Sequence, residues 1–182
     1  MTSWLETQFS LIGKKALVTG SSKGIGASIA QALAHAGADI VLVGRTNESL
    51  EATKSAIVNI GRKVEIVLCD VSSAKAIKEA FVDIADLKVD VLINNAGSIS
   101  RAPAAEAQME EWNRIIDTNL NSVFQISQAC GRAMIAQGSG TIINIASLLS
   151  FQGESMFPPI PRANMELLEL LKHLLMSGEV VE

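Results

Sequence analysis

Short, continuously apolar segments alternate along the chain with longer segments in which apolar residues recur every three or four positions. The apolar runs predict strands at Lys15–Thr19, Ala38–Val43, Val64–Cys69, Val89–Ile93 and Thr141–Ala146. The periodic segments predict helices at Gly24–Ala36, Asn47–Ile60, from Ser72 or Ser73 as cap to Ala85, and at about Gln108–Ala136. In the first helix one apolar face is predicted from Ile25, Ile29, Leu33 and Ala36. In the second, Asn47 is the expected cap and Gly61 the expected stop.

The predicted strands are apolar throughout and do not alternate with polar residues, which indicates a parallel sheet covered by helices on both faces. Five strand–helix alternations at this spacing predict a doubly wound, Rossmann-type α/β fold over residues 1–153. Right-handed connections would place the turn after the first strand at the carboxyl edge of the sheet, where ligands bind in such folds.

The sequence changes character after Gly153. Three of the four prolines lie within residues 157–161, and a leucine-dense stretch follows from Asn164 to Met176. This stretch predicts an amphipathic helix whose apolar face comprises Leu167, Leu168, Leu171, Leu174 and Leu175. We therefore treat residues 154–182 as a tail outside the α/β domain.

Composition excludes several functional classes. A net charge of −4 argues against nucleic-acid binding, and no apolar stretch is long enough to span a bilayer. Residues 1–15 carry scattered charges and no apolar signal core, so we expect a cytoplasmic protein. Cys69 and Cys130 are interpreted as buried, reduced thiols. A metal-binding role is not expected for either histidine, His35 or His173.

A glycine-rich turn links the first predicted strand to the first predicted helix and reads Gly20-Ser21-Ser22-Lys23-Gly24-Ile25-Gly26. We interpret Gly20 as permitting the tight turn, Gly24 as letting the backbone approach a pyrophosphate, and Gly26 as permitting close helix packing. The phosphates would bind the free N–H groups at the start of the helix. A purely structural turn is the alternative, and the strand–turn–helix context argues against it.

The spacing of these glycines resembles that of the short-chain dehydrogenase/reductase family, and further motifs follow in the order found there. Asp70 and Val71 close the third strand, where the family holds the adenine ring. Asn94-Asn95-Ala96-Gly97 closes the fourth strand and resembles the family's NNAG motif. The resemblance implies that Asn95, Ala96 and Gly97 help to form the coenzyme site.

Two further positions match catalytic residues of that family. Asn119 resembles the asparagine that kinks the long helix and anchors a proton-relay water, and Ser147 resembles the serine that hydrogen-bonds the substrate oxygen. Each residue by itself could equally be a cap or turn residue. The register of all the motifs over one chain favours the family interpretation.

The end of the second predicted strand bears on the choice of coenzyme. An acidic residue there would accept the ribose hydroxyls of NAD, but position 44 is Gly and position 45 is Arg. Arg45 can bind a 2′-phosphate through a charge-assisted pair of hydrogen bonds, and Lys23 adds a second cation nearby. A solvated arginine at a strand end is the alternative. NADP(H) is the preferred coenzyme, with NAD(H) as the second choice.

Within the family, Leu92–Gly97 and Ile142–Gly153 look most like sugar-acid enzymes, among them 2-deoxy-D-gluconate 3-dehydrogenases and gluconate 5-dehydrogenases. The resemblance implies a small hydroxy or keto sugar acid as the substrate. The reaction would be an NADP(H)-dependent interconversion of a secondary alcohol and a ketone.

The tail lacks two residues of the family's catalytic pattern. The family places a tyrosine thirteen residues after the serine and a lysine four residues later, which here are Ile160 and Asn164. The chain contains no tyrosine at all. In the family the lysine lowers the pKa of the tyrosine that exchanges the proton. Because both residues are missing, we expect the 182-residue chain to show little or no turnover.

The genetic code suggests how the break arose. Codons for residues 154–182, read one base earlier, can encode a tyrosine at position 160 and a lysine at position 164. We therefore expect a frameshift of one net base near Gly153. The alternatives are a natural variant C-terminus, a catalytically inactive dinucleotide-binding module with the leucine-rich tail as partner helix, and a gene remnant without function.

Loss of the family's C-terminal segments has predicted structural consequences. The fifth strand would become a sheet edge, and one face of the fourth and fifth strands would be uncovered. The missing helix commonly forms the subunit interface in this family, so we do not expect its usual homotetramer here.

Overall fold

The computed structural model describes residues 8–99 and 106–147. Its strands are β1 (Lys15–Thr19), β2 (Asp39–Gly44), β3 (Val64–Leu68), β4 (Val91–Asn94) and β5 (Thr141–Asn144). Its α-helices are α1 (Gly24–His35), α2 (Asn47–Asn59), α3 (Ala74–Ala80), α4 (Met109–Ile116) and α5 (Ser122–Gln137). A 3₁₀ turn covers Ile84–Leu87, and a π-helical turn over Asp117–Asn121 joins α4 to α5. The predicted tail helix and residues 148–182 lie outside the described ranges.

The strands form one parallel sheet in the order β3-β2-β1-β4-β5. The predicted doubly wound α/β fold is therefore confirmed for the described part of the chain. The strand order reverses beside β1, where the chain continues to β2 on one side and returns to β4 on the other. In folds of this kind the crevice at such a reversal, outside the carboxyl ends of the strands, is where ligands bind.

Two apolar cores cover the two faces of the sheet. On one face Val18, Leu42 and other strand residues pack with Ala30 of α1 and Leu50 of α2. On the other face Leu17 packs with residues of α3 and α5, including Cys130. Burial of apolar strand residues from both sides explains why the central strands carry no polar alternation.

The expectation of burial on both faces does not hold for β3, whereas the exposure of β5 agrees with the expectation that one face of the fifth strand is uncovered. Strand β3 exposes Glu65 and Leu68, and strand β5 exposes Thr141 and Ile143. Both strands lie at edges of the described sheet, so each has a neighbouring strand on only one side. The edge position predicted for the fifth strand is therefore observed in these residues.

The predicted apolar face of the first helix is confirmed only in part, because Ile29 and Leu33 pack partly buried against the core but Ile25 does not. Ile25 is 66% exposed, and the buried positions of α1 are instead Gly26, Ala27, Ala30 and Ala34. These small residues let the helix backbone lie close to the sheet, where larger side chains would not fit. Of the larger aliphatic residues in the predicted face, Ile25 lies on the exposed side of the helix.

Two predicted helix boundaries need correction. The cap of α2 is Thr46, whose Oγ1 accepts a hydrogen bond from the Ser49 N–H at 3.2 Å, and Asn47 is the first helical residue. Ser73 caps α3, which ends at Ala80 instead of continuing to residue 85. Beyond it the backbone at Phe81 leaves the helical conformation, and the tighter turns that follow bury both Phe81 and Ile84.

The long helix predicted at about Gln108–Ala136 is present with an internal distortion. Helices α4 and α5 follow each other through the π-helical turn, and Asn119 lies within that turn. At the expected kink the helix contains a π-helical turn, in which one extra residue changes the hydrogen-bond pattern locally.

Candidate functional site

The glycine-rich turn occupies the carboxyl end of β1. Gly20 and Gly24 have φ angles of +64° and +59°, a conformation that costs little only for glycine. A Cβ at Gly20 would lie 2.9 Å from the Cα of Ala96, and a Cβ at Gly26 would collide with the Gly20 carbonyl and the Asn95 amide. At Gly24 a Cβ would meet no described atom within 4 Å, so the turn is open at this point. The positive φ of Gly20 and the lack of space at Gly26 agree with the predicted tight turn and close helix packing, and the approach of a pyrophosphate at Gly24 stays a prediction.

The start of α1 differs from the starts of the two helices that follow it. Thr46 caps α2 and Ser73 caps α3 through side-chain oxygens. At α1 the capping position is Lys23, which makes no capping hydrogen bond, and the first turn contains no acidic residue. The first N–H groups of α1 therefore have no side-chain acceptor, and the positive end of the helix dipole is not neutralised locally. Such a helix start can bind an anion.

A buried hydroxyl joins the ends of β1 and β4. The Oγ1 of Thr19 accepts hydrogen bonds from the N–H groups of Asn95 and Ala96, each at 3.0 Å. In return the side-chain amide of Asn95 donates to the carbonyl oxygens of Thr19 at 3.0 Å and Gly20 at 3.2 Å. These bonds fix the Asn-Asn-Ala-Gly segment against the glycine-rich turn, so the two predicted coenzyme-binding motifs lie side by side.

Two serines of the turn are used to hold it in place. The hydroxyl of Ser21 is fully buried and hydrogen-bonds both main-chain groups of Val43, accepting from the N–H at 3.1 Å and donating to the carbonyl at 3.4 Å. The carbonyl of Ser22 accepts from the hydroxyl of Thr53 at 3.4 Å. The side chain of Ser21 therefore positions the turn, and any contact it makes to a ligand would come from its backbone.

Two cations lie exposed at this edge of the sheet. Lys23 follows β1 and Arg45 follows β2, and neither takes part in an ion pair among the described residues. Asp70, beyond β3, is the nearby anion. The hydrogen bond from the Ser72 hydroxyl to Asp70 lowers the pKa of this carboxyl group, with smaller contributions from the Ser72 N–H and the positive charge of Arg45. Val71, which follows Asp70, packs partly against the core.

A buried amide network at β4 was not found from the sequence. The side-chain amide of Asn94 donates to the Ser127 hydroxyl at 2.9 Å and to the Asn144 side-chain oxygen at 2.8 Å. It thereby links β4 to α5 and to the end of β5, three residues before Ser147. The sequence showed Asn94 only as the first residue of a motif, because its partners lie 33 and 50 residues further on.

Asn119 holds the segment that follows β4. Its side chain accepts from the Ser98 N–H at 2.8 Å and donates to the Ser98 carbonyl at 2.9 Å. The Asn119 amide therefore satisfies both main-chain hydrogen-bonding groups of Ser98, as a neighbouring strand would do within a sheet. The structure thus places Asn119 beside the Asn-Asn-Ala-Gly segment; its predicted contact to a relay water stays a prediction.

Ser147 lies three residues beyond the end of β5 at the same edge of the sheet and is half-buried. Ile160 and Asn164, the positions at which the tyrosine and lysine were expected, lie outside the described residues. The structure therefore brings together the glycine-rich turn, the Asn-Asn-Ala-Gly segment, Asn119 and the β5 end, all at the carboxyl edge.

The comparisons with known proteins agree with this arrangement. The sequence model of the short chain dehydrogenase family matches residues 14–159. The chain belongs to the short-chain dehydrogenase family. It is 45% identical over 156 residues to a 2-dehydro-3-deoxy-D-gluconate 5-dehydrogenase of Bacillus subtilis, with 85% of this chain and 61% of the relative aligned. It is 43% identical over 144 residues to a gluconate 5-dehydrogenase of Gluconobacter oxydans, covering 78% of this chain and 56% of that protein.

Solved structures of this short-chain dehydrogenase family share the fold. A gluconate 5-dehydrogenase from Burkholderia cenocepacia, crystallised with NADP and tartrate, superposes with a TM-score of 0.88 at 32% identity. The match covers 96% of this chain and 69% of that one. The chain spans about 61% of the length of the Bacillus relative.

The remaining chemistry-bearing groups do not form a second site in the described ranges. Burial raises the pKa of Cys69 to about 11, with a further increase from the charge of Asp70, and burial raises the pKa of Cys130 to about 12. Both thiols are therefore protonated at neutral pH. Residues 8–99 and 106–147 contain no cluster of three metal-ligating side chains and no helix able to cross a membrane.

Proposed function

We propose that this chain is the coenzyme-binding part of an NADP(H)-dependent dehydrogenase that interconverts a secondary alcohol and a ketone of a small sugar acid. The whole reaction needs a coenzyme that accepts or donates hydride, and the chain provides the residues that would hold it. The substrate class rests on the resemblance to gluconate and 2-dehydro-3-deoxygluconate dehydrogenases. A cytoplasmic location belongs to the same proposal.

The uncapped start of α1 is the observation that supports coenzyme binding most strongly. Its first N–H groups have neither a side-chain cap nor an acidic residue in the first turn, whereas α2 and α3 are capped and α4, which lacks a side-chain cap, has Glu110 and Glu111 in its first turn. The open side of the turn at Gly24 leaves room for a pyrophosphate to reach those N–H groups. The residues present therefore fit a dinucleotide.

Arg45 and Lys23 support the preference for NADP(H). Both side chains are exposed and unpaired in the described structure, and they follow the neighbouring strands β1 and β2. A guanidinium can bind two oxygens of a 2′-phosphate at once, a charge-assisted geometry that NADH cannot use. Asp70 and Val71, at the end of β3, would lie along the adenine, and Asn95, Ala96 and Gly97 would line the nicotinamide half.

The 182-residue chain itself does not turn over. Ser147 would polarise the substrate oxygen and Asn119 would hold a relay water, but neither group can exchange a proton with an alcohol near neutral pH. A tyrosine at position 160 and a lysine at position 164 would do so, and the chain has Ile160 and Asn164. In the same proposal, a one-base change of frame near Gly153 accounts for both replacements.

Coenzyme binding is tested by titrating the purified chain with NADPH and NADH and following nicotinamide fluorescence. Loss of the Arg45 guanidinium in R45A is expected to weaken NADPH binding about tenfold or more, in the range of a lost charged hydrogen bond, and to leave NADH binding nearly unchanged. Lys63→Ala is the control, because this exposed cation precedes β3 at the opposite edge of the sheet. Equal losses for both coenzymes would contradict the assigned role of Arg45.

The catalytic part is tested at the level of the gene and of the protein. Sequencing the nucleotides that encode residues 150–165 is expected to show that one net base restores tyrosine and lysine in frame. Protein expressed from the restored frame should reduce or oxidise sugar acids with NADP(H), and the 182-residue chain should not. Saturable turnover by the 182-residue chain would refute its proposed inactivity. A nucleotide sequence that encodes residues 150–165 as they stand, with no second reading frame that encodes the tyrosine and the lysine, would refute the frame change.

A further inference from the structure

Gly44, the last residue of β2, occupies the position at which a dinucleotide-binding fold can carry an acidic residue for the ribose hydroxyls of NAD. Gly44 is not among the glycines with positive φ. Its backbone conformation is therefore open to any residue, and the carbonyl of Gly44 accepts a ladder-like hydrogen bond from the Cys69 N–H at 2.8 Å. Conformational strain does not explain why this position is glycine.

The obstacle is a side chain from the next helix. A Cβ built on Gly44 would lie 2.9 Å from Cδ2 of Leu50, 3.1 Å from its Cγ and 3.3 Å from its Cδ1. Leu50 is fully buried in the first turn of α2, within the core that also contains Leu42 and Ile57. Leu50 has no exposed surface and is enclosed by the other residues of this core, so it has less room to move aside than an exposed side chain.

We infer that Leu50 is a specificity-determining residue, because it fills the space that a carboxylate side chain at position 44 would need. Leu50 touches no coenzyme in this arrangement and acts through the strand end. It keeps position 44 free of a side chain, so that no negative charge faces the 2′-phosphate and no acceptor is available for the ribose hydroxyls of NADH. The inference rests on the proposed function, since it concerns the choice between two coenzymes.

The inference predicts that a carboxylate at position 44 becomes useful only when Leu50 is made smaller. The G44D variant is expected to lose NADPH affinity through charge repulsion without gaining affinity for NADH. The double variant G44D/L50A is expected to bind NADH about tenfold more tightly than G44D, as one well-placed charged hydrogen bond allows. Dissociation constants for both coenzymes are measured by nicotinamide fluorescence on the 182-residue chain.

Ile57→Ala provides the matched control. Ile57 is equally buried on α2 and lies two helical turns from Leu50 in the same core, but the three heavy atoms nearest to a Cβ at Gly44 all belong to Leu50. The double variant G44D/I57A should therefore resemble G44D in NADH binding, although it creates a similar cavity. If L50A does not fold, Leu50→Val replaces it in the same comparison.

The contact itself can be tested without any coenzyme. In denaturant unfolding, G44A should destabilise the wild-type chain and should destabilise the L50A chain much less, so the two changes should couple strongly. NADH binding by G44D alone at the level of G44D/L50A, or an equal gain in G44D/I57A, would overturn the inference and leave the proposed function intact. If the wild-type chain bound neither coenzyme, the proposed function would be wrong. The unfolding experiment would then decide about Leu50 by itself, and absence of coupling between G44A and L50A would overturn its role.

Discussion

The side-chain amide of Asn119 hydrogen-bonds both main-chain groups of Ser98, with distances of 2.8 Å to the N–H and 2.9 Å to the carbonyl. One residue of a π-helical turn thereby holds the loop that leaves β4, although the two residues are 21 positions apart. The amide positions the backbone next to the Asn-Asn-Ala-Gly segment, so this residue has a structural task in addition to its predicted part in a proton relay.

Replacement of Asn119 by alanine should therefore destabilise the fold. Two main-chain groups of a half-buried segment lose their partner, and we expect a loss of about 1–3 kcal/mol in the free energy of unfolding. Asn121→Ala is the matched control: Asn121 is exposed in the same π-helical turn, and its amide hydrogen-bonds only the side chain of Asp117. Urea unfolding of the two variants gives the comparison, and similar stabilities would count against the role assigned to the Asn119 amide.

The Thr19 hydroxyl should be equally important for the coenzyme edge. Thr19→Val keeps the shape of the side chain and leaves the N–H groups of Asn95 and Ala96 without an acceptor, which we expect to destabilise the chain by about 1–3 kcal/mol. Thr19→Ser should restore most of that loss. Thr53→Val is the control, because the single bond of Thr53 to the Ser22 carbonyl is long at 3.4 Å. A larger loss in T53V than in T19V would contradict this assignment.

How much of this arrangement was predictable differs from element to element. The strand positions and the order of the motifs followed from apolar runs and glycine spacing, because both are local properties of the sequence. The buried side of α1 did not follow, since Ala30 and Ala34 pack against the sheet while the larger Ile25 is exposed. The rule that large apolar residues mark the core fails where a helix must approach a turn closely.

The contacts within the site were the least predictable part. Asn94 hydrogen-bonds Ser127 and Asn144 because β4 lies beside α5 and β5 in the fold. Leu50 fills the space beside Gly44 because α2 packs against the end of β2. A single sequence contains no record of such long-range pairs. The glycines and the exposed cations could be named in advance, because their roles depend on residue type and position along one strand–turn–helix unit.

The thiols should be inert in the folded chain. With the pKa of Cys69 raised to about 11 and that of Cys130 to about 12, neither forms a thiolate at pH 8, and a thiol reagent such as DTNB should react only after unfolding. The sign of the pH effect follows from the same shift. The protonated thiols favour the folded state below their ordinary pKa, and this contribution is lost as the pH rises from about 9 towards 11 and 12.

Measurement of urea midpoints at a series of alkaline pH values checks this dependence. The C130A variant should lose part of the decline, because one of the two titrating groups is absent. Rapid labelling of both thiols in the native chain at pH 8 would contradict the burial seen in the structure.

The pKa of Asp70 should depend on Ser72. The hydrogen bond from the Ser72 hydroxyl is the largest cause of the lowered pKa, so Ser72→Ala should raise it towards the ordinary value. A depressed pKa stabilises the fold above the ordinary value of the carboxyl group, and the contribution is lost as the pH falls. An NMR titration of the Asp70 carboxyl carbon measures the shift.

Ser73→Ala is the control for that titration. The Ser73 hydroxyl caps α3 and makes no bond to the Asp70 carboxylate, and the Ser73 N–H, which donates to the main-chain carbonyl of Asp70 at 3.0 Å, is kept in Ser73→Ala. This substitution should therefore lower stability and leave the Asp70 titration unchanged. A shift of equal size in both variants would show that disturbance of the turn, and not the hydroxyl bond, sets the pKa.

The central claim is that the uncapped start of α1 binds the phosphates of NADP(H). A titration of the ¹⁵N-labelled chain with NADPH, followed in amide NMR spectra, tests it most directly. The account predicts saturable shifts of the amides from Ser22 to Gly26, together with Arg45. Saturation without movement of these amides, or shifts concentrated on α3 and α5 at the other face of the sheet, would contradict it.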